Sequence, residues 1–319
     1  MTLALPTKWI WDSWYVRDGD LWHGFFLQAD KTLGNPDLRH FNVTQGHATS
    51  RDLKTWEHRG TTFAPAAEPA WDDYTTWTGS VVRGDDGAWH LFYTGTNRAE
   101  DGLKQRIGHA TSTDLHTWTR VGDGLALDID DRYEHYAPGH WHDQAMRDPW
   151  VMRDPKGGWM MFFTGRKPGV EEPNAGGVIG FAISPNLYDW TLQDPVYAGG
   201  TFGQMEVPQV FEAAGWWYCL FCTDGSHYSK AYAASYPGTP VQGSHYLRAK
   251  DPRGPWEVAP GPFLDGDPAV NRYAARIVDT DAGLALLGFL HNPGGGDFVG
   301  EITDPVPVTI DANGWLKLG

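Results

Sequence analysis

The chain has 319 residues and a formal net charge of −15 at pH 7. This acidic excess argues against nucleic acid or an anionic membrane surface as a partner. The chain is long enough to bury a sizeable core, and we expect residues 1–319 to form one large all-β domain.

The N-terminal stretch MTLALPTKW bears on where the protein is found. It lacks the basic region and the long apolar region of a secretion signal. No later stretch reaches the length of apolar sequence that spans a membrane. The sequence therefore predicts a cytoplasmic protein.

The two cysteines, Cys219 and Cys222, lie in the apolar run WWYCLFCTDG. Their C-x-x-C spacing occurs once, with no second pair and no histidine at zinc-finger spacing. Positions i and i+3 of a strand face opposite sides of the sheet. We interpret both cysteines as reduced core residues.

Aromatic and turn-forming residues are abundant, with 17 Trp, 13 Tyr, 14 Phe, 39 Gly and 22 Pro. Aromatic side chains favour strands, and Gly and Pro favour the turns that join them. The composition predicts short strands and no long amphipathic helix.

One sequence pattern recurs along the chain, each time after an apolar strand such as HLFYTG. The copies are GHATSRDLKTWEH at 46–58, GHATSTDLHTWTR at 108–120, GFAISPNLYDWTL at 180–192 and the degenerate LRAKDPRGPWEV at 247–258. A fifth unit is indicated by LALLGFL followed by FVGEITDPVPV. We expect the Asp or Asn to cap a turn and the Trp to pack between neighbouring sheets.

Five such units of four strands predict a five-bladed β-propeller. A β-sandwich with accidental similarity between segments is the alternative, and three nearly identical copies disfavour it. The inner strand of each blade lines the axis of a propeller, where ligands commonly bind.

Three of the predicted inner strands contain an acidic residue: Asp12 in WIWDSW, Asp148 in QAMRDPWVM and Glu206 in FGQMEVPQVF. An unpaired charge in an apolar strand is costly, so we expect these acids to have a functional role. The other two inner strands are TTWTGSVV and NRYAARIV, and the second of these contains Tyr273.

Converging carboxylates suit glycoside hydrolysis. One acid protonates the leaving oxygen, and a second attacks the anomeric carbon or activates water. Crowding of like charges raises one pKa, which keeps an acid protonated near neutrality. The tryptophans around Asp12, including Trp11 and Trp14, would offer flat faces to a sugar ring.

The chain resembles the clan of glycoside hydrolase families 32 and 68, and more distantly family 43. GHATSRDLKTWEH is close to a blade signature of family 32, and WTGS at 77–80 and RDP at 147–149 resemble two of its motifs. WDSW at 11–14 is more similar to the nucleophile motif of family 68. GQMEVPQV takes the place of the acid/base motif, with Val207 where that motif has Cys.

The resemblance implies a retaining enzyme that acts on β-fructofuranosides without a cofactor or a metal. Asp12 would be the nucleophile, Glu206 the general acid/base and Asp148 the group that supports the sugar. The expected substrate is a small oligosaccharide or glycoside, and the oligomeric state is left open. The residues expected to contact substrate are Trp11, Trp14, Gln28, Trp77, Ser80, Arg147, His227, Tyr228 and Tyr273.

Family 32 enzymes usually carry a C-terminal β-sandwich, for which this chain has no room, so a propeller alone is expected. That format is common in family 43, so an inverting arabinofuranosidase or related pentosidase is one alternative. A fructosyltransferase would use the same residues with a sugar acceptor. A propeller that binds sugar without catalysis is a further alternative.

Two further polar stretches contain residue types that can bind metal ions. His135, His140 and His142 lie in YEHYAPGHWHDQ, whose spacing matches no tight metal motif, so a loop at the mouth of the cavity is expected. The acidic run LDIDDRYE lacks the pattern of a calcium loop and is expected to be a solvated loop.

Overall fold

The computed structural model describes residues 2–319, which form five antiparallel sheets of four strands. Each sheet is one blade, and its strands follow one another in chain order. Blade I contains β1 (Lys8–Asp18), β2 (Leu21–Asp30), β3 (Thr44–Ser50) and β4 (Glu57–Phe63). Blade II contains β5 (Thr75–Arg83), β6 (Trp89–Thr96), β7 (Arg106–Ser112) and β8 (Thr119–Leu127).

The other three blades repeat this order. Blade III contains β9 (Met146–Arg153), β10 (Trp159–Arg166), β11 (Gly177–Ser184) and β12 (Thr191–Tyr197). Blade IV contains β13 (Glu206–Ala213), β14 (Trp216–Thr223), β15 (Gly243–Ala249) and β16 (Glu257–Val258). Blade V contains β17 (Arg272–Thr280), β18 (Gly283–Leu290), β19 (Val306–Ile310) and β20 (Leu316–Leu318).

The first strands of the blades are the inner strands. They contact one another in the sequence β1, β5, β9, β13 and β17, and β17 contacts β1 again. The ring is therefore closed, and the predicted all-β five-bladed propeller is confirmed.

Burial follows the position of a strand within its blade. The second strands β6 and β10 are buried along their whole length, and the fourth strand β4 is mostly exposed. Neighbouring blades cover both faces of a second strand, which explains why its sequence is an apolar run without alternation.

The turns that follow β3, β7 and β11, here called the outer turns, have one geometry. Their central residues Leu53, Leu115 and Leu187 are buried and have positive φ angles of 59°, 64° and 72°. In the first outer turn, Asp52 Oδ1 accepts hydrogen bonds from the backbone N–H groups of Lys54 and Thr55 at 2.8 and 2.7 Å. These bonds offset the cost of a left-handed leucine, and the predicted capping is confirmed.

The tryptophan of an outer turn packs on the preceding blade in two cases. Trp118 of blade II lies edge-on to Phe25 of blade I, with ring centroids 6.0 Å apart. Trp190 of blade III meets Phe92 of blade II in the same way at 5.4 Å. The predicted packing between neighbouring sheets is confirmed for these two residues.

The N-terminal segment joins blade I to blade V. Leu3 and Ile302 exchange two backbone hydrogen bonds of 2.8 and 3.0 Å, and Ile10 N–H donates to Gly300 O at 3.0 Å. The start of the chain therefore holds β1 against the last blade.

Helical structure is sparse in residues 2–319. The α-helix α1 (Lys230–Ser235) and short 3-10 helices, among them Pro36–Phe41, lie in the connections between strands. None of these helices is long and apolar enough to cross a membrane. Cys219 and Cys222 are buried and unpaired on β14, as expected.

Candidate active site

Each inner strand has a bulge at the same level, and these five positions are here called the inner bulges. The pairing register between each inner strand and its neighbour shifts there. At four of the five, a non-glycine residue has positive φ: Asp12 at 31°, Asp148 at 58°, Val207 at 53° and Ala274 at 45°. Bulges redirect side chains and often occur beside active sites, where backbone strain also concentrates.

The inner bulges border a cavity of about 350 Å³ at one end of the propeller axis. This volume lies in the range of small-molecule sites. Seven of the residues predicted from sequence line the cavity: Trp11, Asp12, Trp77, Arg147, Asp148, Glu206 and Tyr273.

Asp12 comes from blade I and is partly exposed to the cavity. Its Oδ2 accepts a short hydrogen bond from the Thr78 hydroxyl, at the inner bulge of blade II. Burial, followed by the negative charge of Asp148, raises the pKa of Asp12 from its ordinary 3.8 to about 7. Asp12 is therefore poised between its neutral and ionised forms near neutral pH.

Asp148 comes from blade III and is buried. Its Oδ2 accepts hydrogen bonds from the Thr164 hydroxyl at 2.9 Å and from Val207 N–H at 3.0 Å. The positive φ of Val207 is unusual for a β-branched residue, and this strained backbone supplies an N–H donor to the carboxylate. Burial raises the pKa of Asp148, and the Arg147 charge opposes that rise.

Glu206 comes from blade IV, and both of its carboxylate oxygens accept hydrogen bonds. Arg147 Nη2 donates to Oε1 at 3.0 Å, and the Tyr273 hydroxyl donates to Oε2 at 2.6 Å. These donors come from blades III and V, so the neighbouring blades on either side hold the carboxylate in place.

Arg147 links the carboxylates. Its guanidinium also donates to Gln105 Oε1 at 3.1 Å, Asp143 Oδ2 at 3.3 Å and Gln204 Oε1 at 2.9 Å. Its Nε lies 3.6 Å from Asp148 Oδ2. The surrounding carboxylates raise the pKa of Arg147 above its ordinary value, so it stays a cation.

A second buried cation, Arg276, lies behind the acids. Its Nη1 donates to the carbonyl oxygens of Val207 and Pro208 at 3.0 and 2.7 Å, and its guanidinium packs over the Trp150 ring at 5.0 Å. Burial lowers the pKa of Arg276 to about 10, where it remains charged at neutral pH. This cation partly balances the negative charges at the inner bulges.

Five residues predicted to contact substrate do not line the cavity: Trp14, Gln28, Ser80, His227 and Tyr228. They serve other contacts in the structure. Trp14 stacks on Phe25 in the core, and the Gln28 amide donates to Thr44 and Thr61 within blade I. These side chains pack within blade I and do not line the cavity at the propeller axis.

The remaining three of these residues join other parts of the fold. Ser80 Oγ accepts a hydrogen bond from Val151 N–H at 3.1 Å, which ties blade II to blade III. His227 packs against Trp141 with ring centroids 5.4 Å apart. The Tyr228 hydroxyl donates to Val241 O at 3.2 Å within an aromatic cluster.

Several cavity residues were not predicted, and most share an origin. They come from the connections between the second and third strands of a blade, which end at the cavity: Arg39, His40, Gln105, Asp224, Gln242 and His291. Second strands end at the level where inner strands begin, so the polar residues after each apolar run were the available signal.

The histidine-rich loop before β9 is split between the cavity and its surroundings. His142 lines the cavity, and its Nε2 lies 3.4 Å from Asp143 Oδ2. His135 and His140 each lie near a different carboxylate, on Asp131 and Glu134. The stretch forms turns and irregular structure and reaches the cavity at His142, in agreement with the prediction of a loop at the mouth of the cavity.

Most of the chain is similar to one known protein family. The family described as "Glycosyl hydrolases family 32 N-terminal domain" matches residues 10–294. The chain belongs to glycosyl hydrolase family 32. This match runs from β1 into blade V and confirms the predicted resemblance to the clan of families 32 and 68.

Curated relatives agree with family 32 at low identity. The chain is 26% identical over 253 residues to sucrose-6-phosphate hydrolase of Bacillus subtilis (strain 168), a match that covers 76% of this chain and 47% of the relative. It is 26% identical over 211 residues to invertase of Kluyveromyces lactis, covering 60% of this chain and 29% of the relative. The matches span about half or less of these relatives.

Solved structures share the fold of this chain. An inulosucrase from Halalkalicoccus jeotgali bound to kestose has a TM-score of 0.78 at 22% identity, covering 98% of this chain and 87% of that one. Bacillus subtilis levansucrase has a TM-score of 0.79 at 17% identity, covering 100% and 88%. At these identities the likeness supports the fold.

Proposed function

We propose that this protein is a retaining glycoside hydrolase, or a transglycosylase, that acts on β-fructofuranosides. The observation that carries the proposal is the convergence of Asp12, Asp148 and Glu206, from three separate blades, on one cavity. The names of the family 32 relatives, a sucrose-6-phosphate hydrolase and an invertase, support a fructoside as the substrate.

Asp12 is assigned the role of nucleophile. Its carboxylate is fixed by the Thr78 hydroxyl on one oxygen and lies at the cavity wall beside Trp11. Attack requires the ionised form, which becomes the main form as the pH rises through about 7 in the free enzyme. A proton taken up by a neighbouring acid would favour this ionised form, because the acids titrate as a coupled set.

Glu206 is assigned the role of general acid and base. As the Asp12 oxygen bonds to the anomeric carbon, the bond from that carbon to the leaving oxygen breaks, and Glu206 gives its proton to that oxygen. In the second step, Glu206 takes a proton from water or from a sugar hydroxyl as this acceptor displaces Asp12. Arg147 and Tyr273 keep the carboxyl group oriented through both steps.

Asp148 is assigned to the sugar hydroxyls. Its two protein hydrogen bonds both end on Oδ2, so Oδ1 is the oxygen that we assign to the substrate. Hydrogen bonds from sugar hydroxyls to a buried carboxylate are charge-assisted and strengthen as positive charge develops on the ring. Trp77 would close the cavity beside the sugar, because its indole N–H is held by His40 O at 2.8 Å.

The test is time-resolved NMR of the intact protein with sucrose, inulobiose, levanbiose and α- and β-arabinofuranosides. Release of β-fructofuranose as the first product, or formation of a new fructoside, would support the proposal and separate hydrolysis from transfer. Cleavage of an arabinofuranoside alone, with an inverted first product, would refute both the sugar and the role of Asp12 as nucleophile.

Catalysis is separated from binding by Asp12→Asn, with Asp18→Asn on the same strand as the matched control. Asp18 is exposed at the far end of β1. Loss of turnover with retained fructoside binding in Asp12→Asn would support a catalytic role. If the natural protein binds sugar without turnover, and both variants bind it equally well, the protein is a sugar-binding propeller and the proposal is refuted.

A further inference from the structure

Three histidines meet where blade I touches blade II. His23 lies on β2, His47 on β3, and His116 in the second outer turn. One nitrogen from each ring lies within 4.8 Å of the other two. His23 Nδ1 and His47 Nε2 are 3.0 Å apart, and the rings of His47 and His116 have centroids 4.6 Å apart at an angle of 58°.

This spacing suits a tetrahedral metal ion. Zinc binds histidine nitrogen at roughly 2.0–2.1 Å, which places two ligand nitrogens about 3.3 Å apart. The buried pair is close to that separation, and the third ring belongs to an exposed residue. Three imidazoles and a water molecule complete a coordination sphere of four.

The protonation states also suit a metal. His23 Nδ1 and His47 Nε2 share one hydrogen, and a metal ion bound to both nitrogens would replace it as that proton moves to the outer nitrogen of its ring. His47 Nδ1 is buried without a hydrogen-bond partner, so this ring is held through the hydrogen bond between its Nε2 and His23 Nδ1.

Blade II contains a second copy of this arrangement that differs at the third residue. His90 Nδ1 and His109 Nε2 are 2.8 Å apart, and Phe92 stacks on His109 as Phe25 stacks on His47. The position of His116 is taken there by Tyr188 of the next outer turn. The His–His pair is therefore a shared structural feature, and the third imidazole is particular to the junction of blades I and II.

In the second copy, an acidic residue contacts both the histidine pair and the tyrosine. His90 Nε2 lies 3.1 Å from Asp86 Oδ1, and the Tyr188 hydroxyl donates to Asp86 Oδ2 at 2.6 Å. The corresponding turn of blade I is shorter, and its acid, Asp20, pairs with Arg51. Both junctions therefore contain a histidine pair between two blades, but the side chains around the pair differ.

We propose that His23, His47 and His116 form a binding site for a divalent transition metal of the zinc type, which clamps blade I to blade II. Imidazole ligands favour zinc, copper and nickel over magnesium or calcium. The charged groups that act on the pair are Asp18 and Asp114, which favour a cation, and Arg59, which opposes one.

The site is separate from the catalytic cavity. None of the three histidines lines that cavity. His23 pairs with Val16, four residues along β1 from Asp12, which is a distance of about 13 Å on a strand. A metal here would stabilise the fold through its preference for the folded state, with no direct part in turnover.

The test is titration of the full, chelator-treated chain with Zn²⁺ by calorimetry and with Co²⁺ by visible absorption. The variant is His116→Tyr, which copies the residue of the second junction. The control is His135→Tyr, the same substitution at an exposed histidine outside the cluster. Melting curves without metal verify that both variants fold.

One equivalent of Zn²⁺ should bind the natural protein, raise its melting temperature and give the absorption of tetrahedral Co²⁺. His116→Tyr should bind at least about tenfold more weakly, because loss of even an outer-shell partner costs roughly 10–100-fold. His135→Tyr should bind normally, and metal removal should leave turnover unchanged. Absence of saturable binding, or equal binding by His116→Tyr, would overturn the proposal.

Discussion

The outer turns and the inner bulges repeat around the same ring but differ in what they repeat. The outer turns keep both backbone and sequence: a serine, an Asp or Asn, a left-handed leucine and a tryptophan. The inner bulges keep the shift in pairing register but hold Asp12, Thr78, Asp148, Val207 and Ala274. Repeated sequence therefore marks the positions that serve the fold, and varied residues at a repeated bulge mark the positions that we assign to chemistry.

This contrast predicts opposite outcomes for substitutions in the two regions. A substitution at an inner bulge should reduce the activity of the protein without reducing its stability. A substitution in an outer turn should reduce stability without reducing activity. The four predictions below test this separation, beginning with the largest expected effect.

Asp12→Asn should reduce turnover on the order of 10⁴-fold or more, because loss of a nucleophile removes the covalent route. The measurement is kcat/KM on the fructoside identified by the NMR panel. Asp18→Asn should stay within about twofold of the natural enzyme, since its side chain is exposed and remote. Equal losses in the two variants would show that general destabilisation, and not chemistry, is responsible.

The same Asp12→Asn variant should be more stable than the natural protein at pH 8. The folded pKa of about 7 exceeds the ordinary 3.8, so between these values the folded state binds more protons than the unfolded chain. Stability from this group therefore falls as pH rises from about 4 to 7, with an upper limit of about 4 kcal/mol. Asn in place of Asp12 cannot ionise, so the variant should recover part of this lost free energy of unfolding.

Urea unfolding at pH 8 and at pH 4.5 measures this effect. The gain in free energy of unfolding should be a few kcal/mol at pH 8 and should shrink at pH 4.5, where the natural carboxyl is already neutral. A variant that is equally destabilised at both values would contradict the raised pKa.

Glu206→Gln should move the acid limb of the pH–rate profile to lower pH by up to about one pH unit. The negative charge of Glu206 contributes to the raised pKa of Asp12, and glutamine removes it. The measurement is kcat/KM against pH on a fructosyl donor whose leaving group needs no proton. Glu212→Gln, an exposed change on the same strand, should leave the limb in place, and an unmoved limb in Glu206→Gln would refute the coupling.

Asp52→Ala should cost about 1 kcal/mol of stability, as loss of a capping side chain typically does, and should leave kcat unchanged. The hydrogen bonds from Lys54 and Thr55 lower the pKa of Asp52 to about 2. The contribution is therefore present above about pH 4 and is lost as the pH falls toward 2. Urea unfolding at pH 7 and at pH 3 measures the difference, and Asp114→Ala should reproduce it.

The ring and its three acids could be predicted because both depend on local order along the chain. The repeated outer turns set the number of blades, and each acid lies in the strand that precedes an apolar run. Position in the blade then determines which strand faces the axis, so Asp12, Asp148 and Glu206 were within reach of sequence reasoning.

Gln28 and Ser80 show where such reasoning stops. Gln28 lies on a second strand, and its buried amide is used to join β2 to β3 and β4. Ser80 lies beyond the inner bulge of β5 and bonds the backbone of β9. Arg39 and His40 reach the cavity from a 3-10 helix between strands, a placement that depends on tertiary packing and has no periodic signal.

The pairing of Leu3 with Ile302 has a consequence for biosynthesis. During translation, at roughly 5–20 residues per second, Asp12, Asp148 and Glu206 all leave the ribosome before the segment that fastens β1. Contacts across so long a stretch of chain form late, because the loop must close first. A nascent chain stopped short of residue 302 would contain the three acids yet lack the residue of blade V that pairs with Leu3.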